Sequence, residues 1–323
     1  MWIWLTLLGC SALFGGGDEP TPGDATSPPD EVVEEAPRRG KAGKTKRKKG
    51  KKGGIKDGAH QLEISYRGGR RGAIVHVPAS IANGGGKAPA IVMHHGGHGA
   101  NGMQAAKLWK EQVEKDFILI FPDGQTVEKK AGWMPVNGEL DYNVRFVEAL
   151  LDEALKRFPI DEDRVFAAGW SSGAQQTMRL ACLSSDRFQA FSVVSQNMEF
   201  DTRDACAAAD YTPRPMQFII GDSDPKNPWE GRGPEDSHSS PGRIGIQETI
   251  DFFVKKNGCK ATAKPKKLRG AKVLERRYDT CRHGEIRWLL VEGGTHAWPG
   301  GTQGVKDLSA TEESVTFFRA HGL

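Results

Sequence analysis

The sequence predicts an α/β fold in which helices cover both faces of a mostly parallel central sheet. Short apolar segments of strand length recur along the chain, and most of them are separated by segments of helical composition. This alternation is typical of parallel sheets that are buried on both faces. With 323 residues and 37% hydrophobic content, the chain is long enough to bury a core of that size.

The first predicted element is an antiparallel hairpin between Gln61 and Val77, where LEISY and AIVHV flank RGGRRG. Apolar runs of buried-strand length follow it: AIVMH (90–94), FILIF (117–121), RVFAAG (164–169), AFSVVS (190–195), MQFII (216–220) and IRWLLV (286–291). Helices are predicted at 141–157, 173–182, 244–256 and 310–321. Because ligands bind beyond the carboxyl ends of parallel strands, we expect the loops at those ends to carry the chemistry.

One of these loops, GWSSG from Gly169 to Gly173, lies between a predicted strand and a predicted helix. It matches the pattern G-x-S-x-G, with Ser171 at its centre. A serine at such a junction is held on a sharp turn, and glycines on both sides let the strand and the helix approach closely. The spacing therefore favours Ser171 over Ser172 as an exposed nucleophile.

Two later loops supply the other groups that a serine nucleophile needs. A base must remove the hydroxyl proton, and a carboxylate must orient that base. His296 lies in EGGTHAWPG after the last apolar strand, and both Asp222 and Asp224 lie in GDSDP after MQFII. Serine, aspartate and histidine follow one another in this order in α/β-hydrolases, and the order leaves both aspartates open.

A glycine-rich loop after the first parallel strand is predicted to stabilise negative charge. It reads HHGGHGANG from His94 to Gly102, and a loop in this position supplies a backbone N–H to the oxyanion of an acyl transfer. We assign the two donors to Gly97 and Ser172. Histidines 94, 95 and 98 also suggest a metal site, but no carboxylate or cysteine accompanies them, so we expect neither a metal nor an organic cofactor.

The N-terminal part of the chain differs in composition from the rest. Residues 1–14 are apolar, too few to span a membrane but suited to an export signal. Their LLGC resembles the lipobox of bacterial lipoproteins, in which the cysteine, here Cys10, is lipidated and anchors the protein to a membrane; a cleaved, non-lipidated signal is the alternative. Residues 15–58 are predicted to be a disordered tether, which leaves 59–323 as the folded domain.

The net positive charge lies in one short part of that tether. Residues 38–56 carry 11 Lys and Arg and no acid, whereas 57–323 carry equal numbers of basic and acidic residues. The folded domain therefore gives no reason to expect a specific nucleic-acid partner. Either the basic tract contacts an anionic surface, where clustered cations gain from counterion release, or it is a solvated spacer.

Four cysteines besides Cys10 indicate two disulfides in an exported chain. The sequence permits three pairings, and local spacing favours Cys182 with Cys206 and Cys259 with Cys281. Buried free thiols are the alternative.

Together these motifs resemble a family of secreted esterases that includes feruloyl esterases, acetyl xylan esterases and polyhydroxybutyrate depolymerase-like lipoproteins. The resemblance runs from about Gln61 to the C terminus and rests on HHGGHGANG, GWSSGAQQTMRLAC, GDSDPKNPWEG, NGC and VEGGTHAWPG. It implies an α/β-hydrolase fold, matching positions for the four cysteines and, since the family's aspartate lies three residues after a glycine, Asp224 as the third triad member. The chain departs from the family at Ile220, where many members have a histidine, which leaves the substrate subgroup open.

The sequence therefore predicts an exported serine esterase whose triad Ser171, His296 and Asp224 hydrolyses carboxylic esters through an acyl-enzyme. Feruloyl or acetyl esters of plant polysaccharide are the expected substrates, and a polyhydroxybutyrate or short hydroxyalkanoate ester is the alternative. A non-catalytic, envelope-binding surface lipoprotein is the alternative from another class. Candidates for stacking on a sugar or a phenolic group are Trp133, Trp170, Trp229 and Trp298. The alternative, slightly favoured for each of them, is that the ring packs its own loop.

Overall fold

The structure, a computed structural model, describes residues 55–97, 100–112, 115–127, 130–233, 242–260, 265–268 and 272–323. The predicted export signal, Cys10 and almost all of the predicted tether lie outside the described residues. Within the described part of the chain, no helix has both the length and the apolar character needed to cross a membrane.

Ten of the strands in the described chain form one sheet, and two short strands form a separate hairpin. The strands are β1 (Gly58–Tyr66), β2 (Gly69–Val77), β3 (Ala88–His94), β4 (Ile118–Pro122), β5 (Gln125–Val127), β6 (Lys130–Gly132), β7 (Ile160–Trp170), β8 (Phe191–Val194), β9 (Met216–Gly221), β10 (Lys266–Lys267), β11 (Val273–Tyr278) and β12 (Ile286–Val291). The helices are α1 (Ala79–Gly84), α2 (Gly102–Leu108), α3 (Tyr142–Arg157), α4 (Ser172–Leu183), α5 (Phe200–Ala208), α6 (Ile246–Lys256) and α7 (Ala310–Arg319), with 3₁₀ turns at Lys110–Gln112 and Ser185–Arg187.

The centre of the large sheet is parallel. Its strand order is β1-β2-β4-β3-β7-β8-β9-β12-β11-β10, and the six strands from β4 to β12 in this order run parallel. The hairpin β1–β2 extends the sheet antiparallel at one edge, and β11 and β10 do so at the other. The predicted fold class is confirmed, because the sheet is mostly parallel.

Apolar residues of the central strands alternate between two hydrophobic cores. On β3, Val92 belongs to the core that includes residues of α3, α4 and α6, whereas Ile91 belongs to the core that includes residues of α2 and α7. Successive side chains of a strand point to opposite faces, so helices cover both faces of the sheet. Strands buried in this way need no polar face, which is why they read as continuous apolar runs.

The first hairpin has a tighter turn than predicted. Only Arg67 and Gly68 connect β1 to β2, both with positive φ, 45° and 81°, which is the conformation of a two-residue hairpin turn. The following residues, Gly69 to Gly72, pair with β1 as part of β2. The glycines of RGGRRG thus mark the start of a strand as well as the turn.

Two disulfides are present, Cys182–Cys206 and Cys259–Cys281, which confirms the pairing that local spacing favoured. The first joins α4 to α5, and the second joins the segment after α6 to the segment after β11. Each crosslink restricts the unfolded chain and so favours the folded state.

His94, the last residue of β3, is fully buried against β7 and α4. Its Nδ1 lies 3.0 Å from the carbonyl oxygen of Ala168 and 3.3 Å from Oγ1 of Thr177. Since a carbonyl only accepts, Nδ1 carries the proton. Burial lowers the pKa of His94 to about 3, although the Ala168 carbonyl opposes this shift.

Because the fold keeps His94 neutral, we expect stability to fall as the pH drops below about 6.5. The unfolded histidine binds a proton below its ordinary value of 6.5, whereas the folded one does so only near about 3, so the unfolded state binds more protons between these values. The contribution of neutral His94 to the free energy of unfolding is fully present above pH 6.5 and is lost toward pH 3. The loss amounts to at most about 1.4 kcal/mol per pH unit. Urea unfolding of the wild type and His94→Gln between about pH 4.5 and 7 measures it, and the variant should show the shallower pH dependence. Equal slopes would contradict the assignment.

Candidate active site

Ser171 occupies a strained turn between β7 and α4. Its φ of 55° and ψ of −124° lie outside the regions that residues with side chains favour. The strand and the helix touch here, since a Cβ on Gly169 would lie 2.2 Å from the carbonyl oxygen of Gly173. The Ser171 N–H donates to the Val194 carbonyl at 3.0 Å, which ties the turn to the end of β8.

Ser171, His296 and Asp224 form one hydrogen-bonded chain at the carboxyl edge of the sheet. The distance from Ser171 Oγ to His296 Nε2 is 2.8 Å, and that from His296 Nδ1 to Asp224 Oδ2 is also 2.8 Å. An ionised carboxylate only accepts, so Nδ1 holds the proton and the lone pair of Nε2 faces the serine hydroxyl in the neutral imidazole. The structure therefore brings together the three groups that the sequence placed on separate loops.

The environment of Asp224 favours its ionised form. Burial raises the pKa of this carboxyl, but the hydrogen bond and charge of His296 and two backbone donors outweigh that effect and lower it overall. Those donors are the N–H groups of Lys226 and Asn227, which lie 2.8 and 3.0 Å from Oδ1. A negative charge is thus held beside the imidazole, where it stabilises a protonated ring.

Asp222 is exposed and has other partners. Its Oδ1 accepts hydrogen bonds from the Gly293 N–H at 2.7 Å and from the Ser223 hydroxyl at 2.9 Å. Asp222 therefore links the loop after β9 to the loop after β12, and it is Asp224 that contacts His296.

Asn227 contacts both Asp224 and His296, and no sequence pattern singled it out. Its side-chain nitrogen lies 3.3 Å from Asp224 Oδ2 and 3.0 Å from His296 Nδ1, and it donates to the Ser195 carbonyl at 2.8 Å. Its Oδ1 accepts from Arg243 Nη1 at 2.8 Å. Because the arginine can only donate, this bond fixes which end of the amide faces the aspartate.

A buried ionic network connects Arg243 to the helix that follows Ser171. Arg243 Nη2 lies 4.0 Å from Oε1 of Glu199, and Oε2 of Glu199 accepts from Arg179 of α4 at 2.5 Å. Glu199 and Arg179 are 3% and 1% exposed. Removing Glu199 would leave the buried Arg179 without this carboxylate, and breaking a buried ion pair by removing one partner is strongly destabilising.

Gly97 lies against Ser172, the other residue that is assigned to the oxyanion from the sequence. A Cβ on Gly97 would lie 3.4 Å from Ser172 Oγ. Neither of the two backbone N–H groups has a hydrogen-bond acceptor among the described residues.

His95 holds the loop that carries Gly97. Its Nδ1 donates to the Gly96 carbonyl at 2.6 Å, and its Nε2 accepts from the Gly124 N–H at 2.8 Å. Burial lowers the pKa of His95, which keeps the ring neutral and able to accept at Nε2. Both ring nitrogens of His95 are therefore occupied by main-chain partners, while His98 lies outside the described residues.

Trp133 and Trp298, two of the four candidates for stacking on a substrate, pack inside the protein instead. They are 1% and 4% exposed. Trp133 donates through Nε1 to the His95 carbonyl at 2.9 Å, and Trp298 donates to Thr311 Oγ1 at 3.1 Å. Both indoles pack the interior and brace loops, leaving no ring face for a ligand.

Trp170 and Trp229 are partly exposed. The Trp170 ring stacks on the ring of His296, with centroids 5.9 Å apart, and Gly96 also lies against this ring. Trp229 packs on Trp288, with centroids 5.7 Å apart. Of the four tryptophans, Trp170 is the one that the structure places against the hydrogen-bonded chain.

No model of a known protein family matches the chain. Among individual proteins, NocK of Nocardia uniformis subsp. tsuyamanensis, which is named an esterase, is 29% identical over 177 residues, 50% of this chain and 50% of NocK. Feruloyl esterase C of Emericella nidulans is 27% identical over 207 residues, 63% of this chain and 64% of that protein. The chain thus spans about half of the first relative's length and somewhat less than two thirds of the second's.

Solved structures share the fold at low sequence identity. An acetyl xylan esterase from Aspergillus awamori superposes with a TM-score of 0.56 and 16% identity, covering 77% of this chain and 94% of that one. A ferulic acid esterase gives a TM-score of 0.52 and 15% identity, covering 82% and 98%. The chain therefore has the α/β-hydrolase fold and is similar in sequence to proteins named esterase and feruloyl esterase.

Proposed function

We propose that the protein is a serine esterase in which Ser171, His296 and Asp224 hydrolyse carboxylic esters. The observation that carries this proposal is the unbroken chain of two 2.8 Å contacts from Ser171 Oγ through the imidazole to Asp224 Oδ2. A hydroxyl is a weak nucleophile until a base removes its proton, and Nε2 of His296 is placed to do so. The similarity to feruloyl esterase C supports an ester as the substrate.

In the proposed reaction, Ser171 Oγ attacks the ester carbonyl carbon while His296 takes the hydroxyl proton. Asp224 stabilises the imidazolium, which then protonates the leaving alcohol and leaves an acyl group on Ser171. Water, activated by His296, releases the acid. We assign the oxyanion to the backbone N–H groups of Gly97 and Ser172, each of which is worth about 3 to 4 kcal/mol in a site of this type.

The substrates that we propose are feruloyl or acetyl esters of plant polysaccharide. Sequence similarity to a protein named feruloyl esterase C supports the feruloyl group. Trp170, stacked on His296, supplies an aromatic surface beside the nucleophile on which a phenolic acyl group can pack. Among the described residues, no contact favours a hydroxyalkanoate ester or a non-catalytic role over this proposal.

We also propose that the protein is exported. The apolar N-terminal segment supports this, and so do the two disulfides, which persist in oxidising compartments. Lipidation of Cys10 and contact of residues 38–56 with an anionic surface are further proposals, for segments outside the described residues.

Asn227 is a positioning residue in this proposal. With its oxygen held by Arg243, the amide presents N–H donors to Asp224 and to the Ser195 carbonyl. The carboxylate is thereby fixed in the orientation that meets Nδ1 of His296. The same side-chain nitrogen lies 3.0 Å from Nδ1 of His296.

The exchange Ser171→Ala is expected to reduce hydrolysis of methyl ferulate at least about a thousandfold, because the attacking oxygen is lost. Ser172→Ala keeps its backbone N–H and should stay within about tenfold of the wild type. Initial rates with purified, folded proteins measure both. Equal losses, or an active Ser171→Ala, would show that another residue is the nucleophile.

Exchanging the two aspartates separates their roles. Asp224→Asn is expected to lower kcat at least about a hundredfold with little change in unfolding temperature, because a neutral amide can select the wrong imidazole tautomer. The Asp222 carboxylate contacts Gly293 and Ser223 and not His296, so Asp222→Asn should change kcat less than about threefold. The reverse ranking on one soluble ester would refute the choice of Asp224.

Removing the Asn227 amide should affect kcat more than KM. We expect Asn227→Leu to lower kcat about tenfold and to leave KM within about twofold, because the carboxylate that orients His296 is no longer held in place. Asn197→Leu is the matched control, since this buried amide donates to the Ile244 carbonyl at 2.7 Å. The control should lose stability while its kcat stays within about twofold of the wild type. A kcat that falls no further in folded Asn227→Leu than in the control would mean that Asn227 only supports the fold.

A further inference from the structure

A cleft lies beside the first hairpin, at the end of the sheet where the parallel strands have their carboxyl termini and where Ser171 also lies. Its volume is about 760 Å³, and its walls come from β1, β2 and their turn, from the segment after β4 and from Tyr142 of α3. Because β2 is antiparallel to β4, with Ala73 opposite Pro122, the residues before Ala73 extend past the carboxyl end of β4. Three arginines of this segment line the cleft: Arg67, Arg70 and Arg71.

Two of the three guanidinium nitrogens of Arg71 have no hydrogen-bond acceptor among the described residues. Its carbon lies 3.4 Å from the centroid of the Phe146 ring, and Nη2 donates to the Asp123 carbonyl at 3.2 Å. Nε and Nη1 are buried and have no hydrogen-bond partner among the described residues. Burial lowers the pKa of Arg71 to about 10, and the nearby tyrosines and Asp123 offset only part of that shift. Since Arg71 lines the cleft, a small movement of its side chain would let an anion there supply the missing acceptors.

The other two arginines are held by weak ion pairs. Arg67 pairs with Glu139 and Arg70 pairs with Glu63, and the side chains are 37% and 44% exposed in the first pair and 73% and 54% in the second. Ion pairs as exposed as these contribute little to stability, so they can be exchanged for a pair with a ligand.

The charge of the cleft suits a singly charged group. Three arginines and two acids, Glu63 and Asp123, line the cleft, and the remaining lining residues are uncharged. Glu139, the partner of Arg67, lies outside the lining. The planar fork of a guanidinium matches the two oxygens of a carboxylate. A doubly charged phosphate would be less well neutralised here.

The cleft lies within reach of an extended substrate bound at Ser171. Strands β2 and β7 are separated by β4 and β3, which makes three inter-strand spacings of about 4.8 Å, or roughly 14 Å. The intervening loops are in contact, since the Gly124 N–H donates to His95, two residues before Gly97. A polymer can therefore place its ester at Ser171 and another unit in the cleft.

We propose that this cleft binds a carboxylate of the polymer whose ester is hydrolysed, such as an acidic sugar unit a few residues from the esterified one. The inference rests on the proposed function for its polymeric substrate. It makes Arg71, Arg70 and Arg67 determinants of preference for acidic over neutral polysaccharide.

The test compares two feruloylated xylo-oligosaccharides of equal length, one neutral and one with a glucuronic acid branch. We expect the wild type to have a kcat/KM at least about tenfold higher on the acidic one, a ratio that falls as salt is added. Arg71→Gln and, separately, the exposed Arg70→Gln should each reduce this ratio at least about threefold. Arg319→Gln, which alters a half-exposed paired arginine on α7 outside the cleft, is the matched control and should keep the ratio.

A binding measurement separates this inference from the proposed function. Calorimetric titration of Ser171→Ala with the ester-free acidic oligosaccharide should show binding that Arg71→Gln weakens by a similar factor. If no ester is hydrolysed but this binding is found, the cleft assignment stands and the esterase proposal fails. The carboxylate site would be overturned by a wild-type kcat/KM ratio near one for the acidic over the neutral oligosaccharide, or by a ratio that neither cleft variant changes. It would also be overturned if inorganic phosphate competed with oligosaccharide binding more strongly than glucuronate does.

Discussion

Close backbone contact at a few glycines is the constraint on which the candidate site depends. Gly169 lets β7 approach α4, and Gly173 lets α4 approach the end of β3, because a Cβ on either glycine would overlap backbone atoms there. Ser171 is held in a strained conformation between the two glycines. A second contact, between Gly221 and Gly294, brings the loop after β9 against the loop after β12. The contacts at Gly169 and Gly173 fix the position of Ser171. The contact between Gly221 and Gly294 holds the loop of Asp224 against the loop of His296. The 2.8 Å chain of contacts follows from both.

Much of the fold could be predicted because the central strands are buried on both faces. A strand such as β3 has no polar face, so its apolar run stands out in the sequence. The elements that were missed lack this signal. Strand β11, VLERRY, mixes charged and apolar residues at an edge of the parallel region, and α5, FDTRDACAA, has few apolar residues to show a helical period. Their structure is set by tertiary pairing and by a disulfide rather than by local pattern.

In the candidate site, the positions of loops could be predicted from sequence motifs, but contacts between distant side chains could not. Ser171 and His296 were predictable because each belongs to a glycine-rich loop with a fixed place after a strand. Asn227 was not, because its role comes from contacts with residues far apart in the chain, including Arg243. The role of Trp133 was open for the same reason: the sequence of a loop does not show whether an aromatic ring points outward or into the core, where Trp133 lies. Direction of a side chain is a property of the folded state.

The central claim is that Ser171 Oγ is the atom that becomes acylated. Reaction of the full-length, wild-type protein with a fluorophosphonate, followed by digestion and mass spectrometry, tests this most directly, because the reagent bonds to a serine activated by a neighbouring base. The account predicts about one adduct per chain, on Ser171, with none after prior acid unfolding. An adduct on Ser172 or another serine, or an unmodified protein under conditions where it is folded, would contradict it.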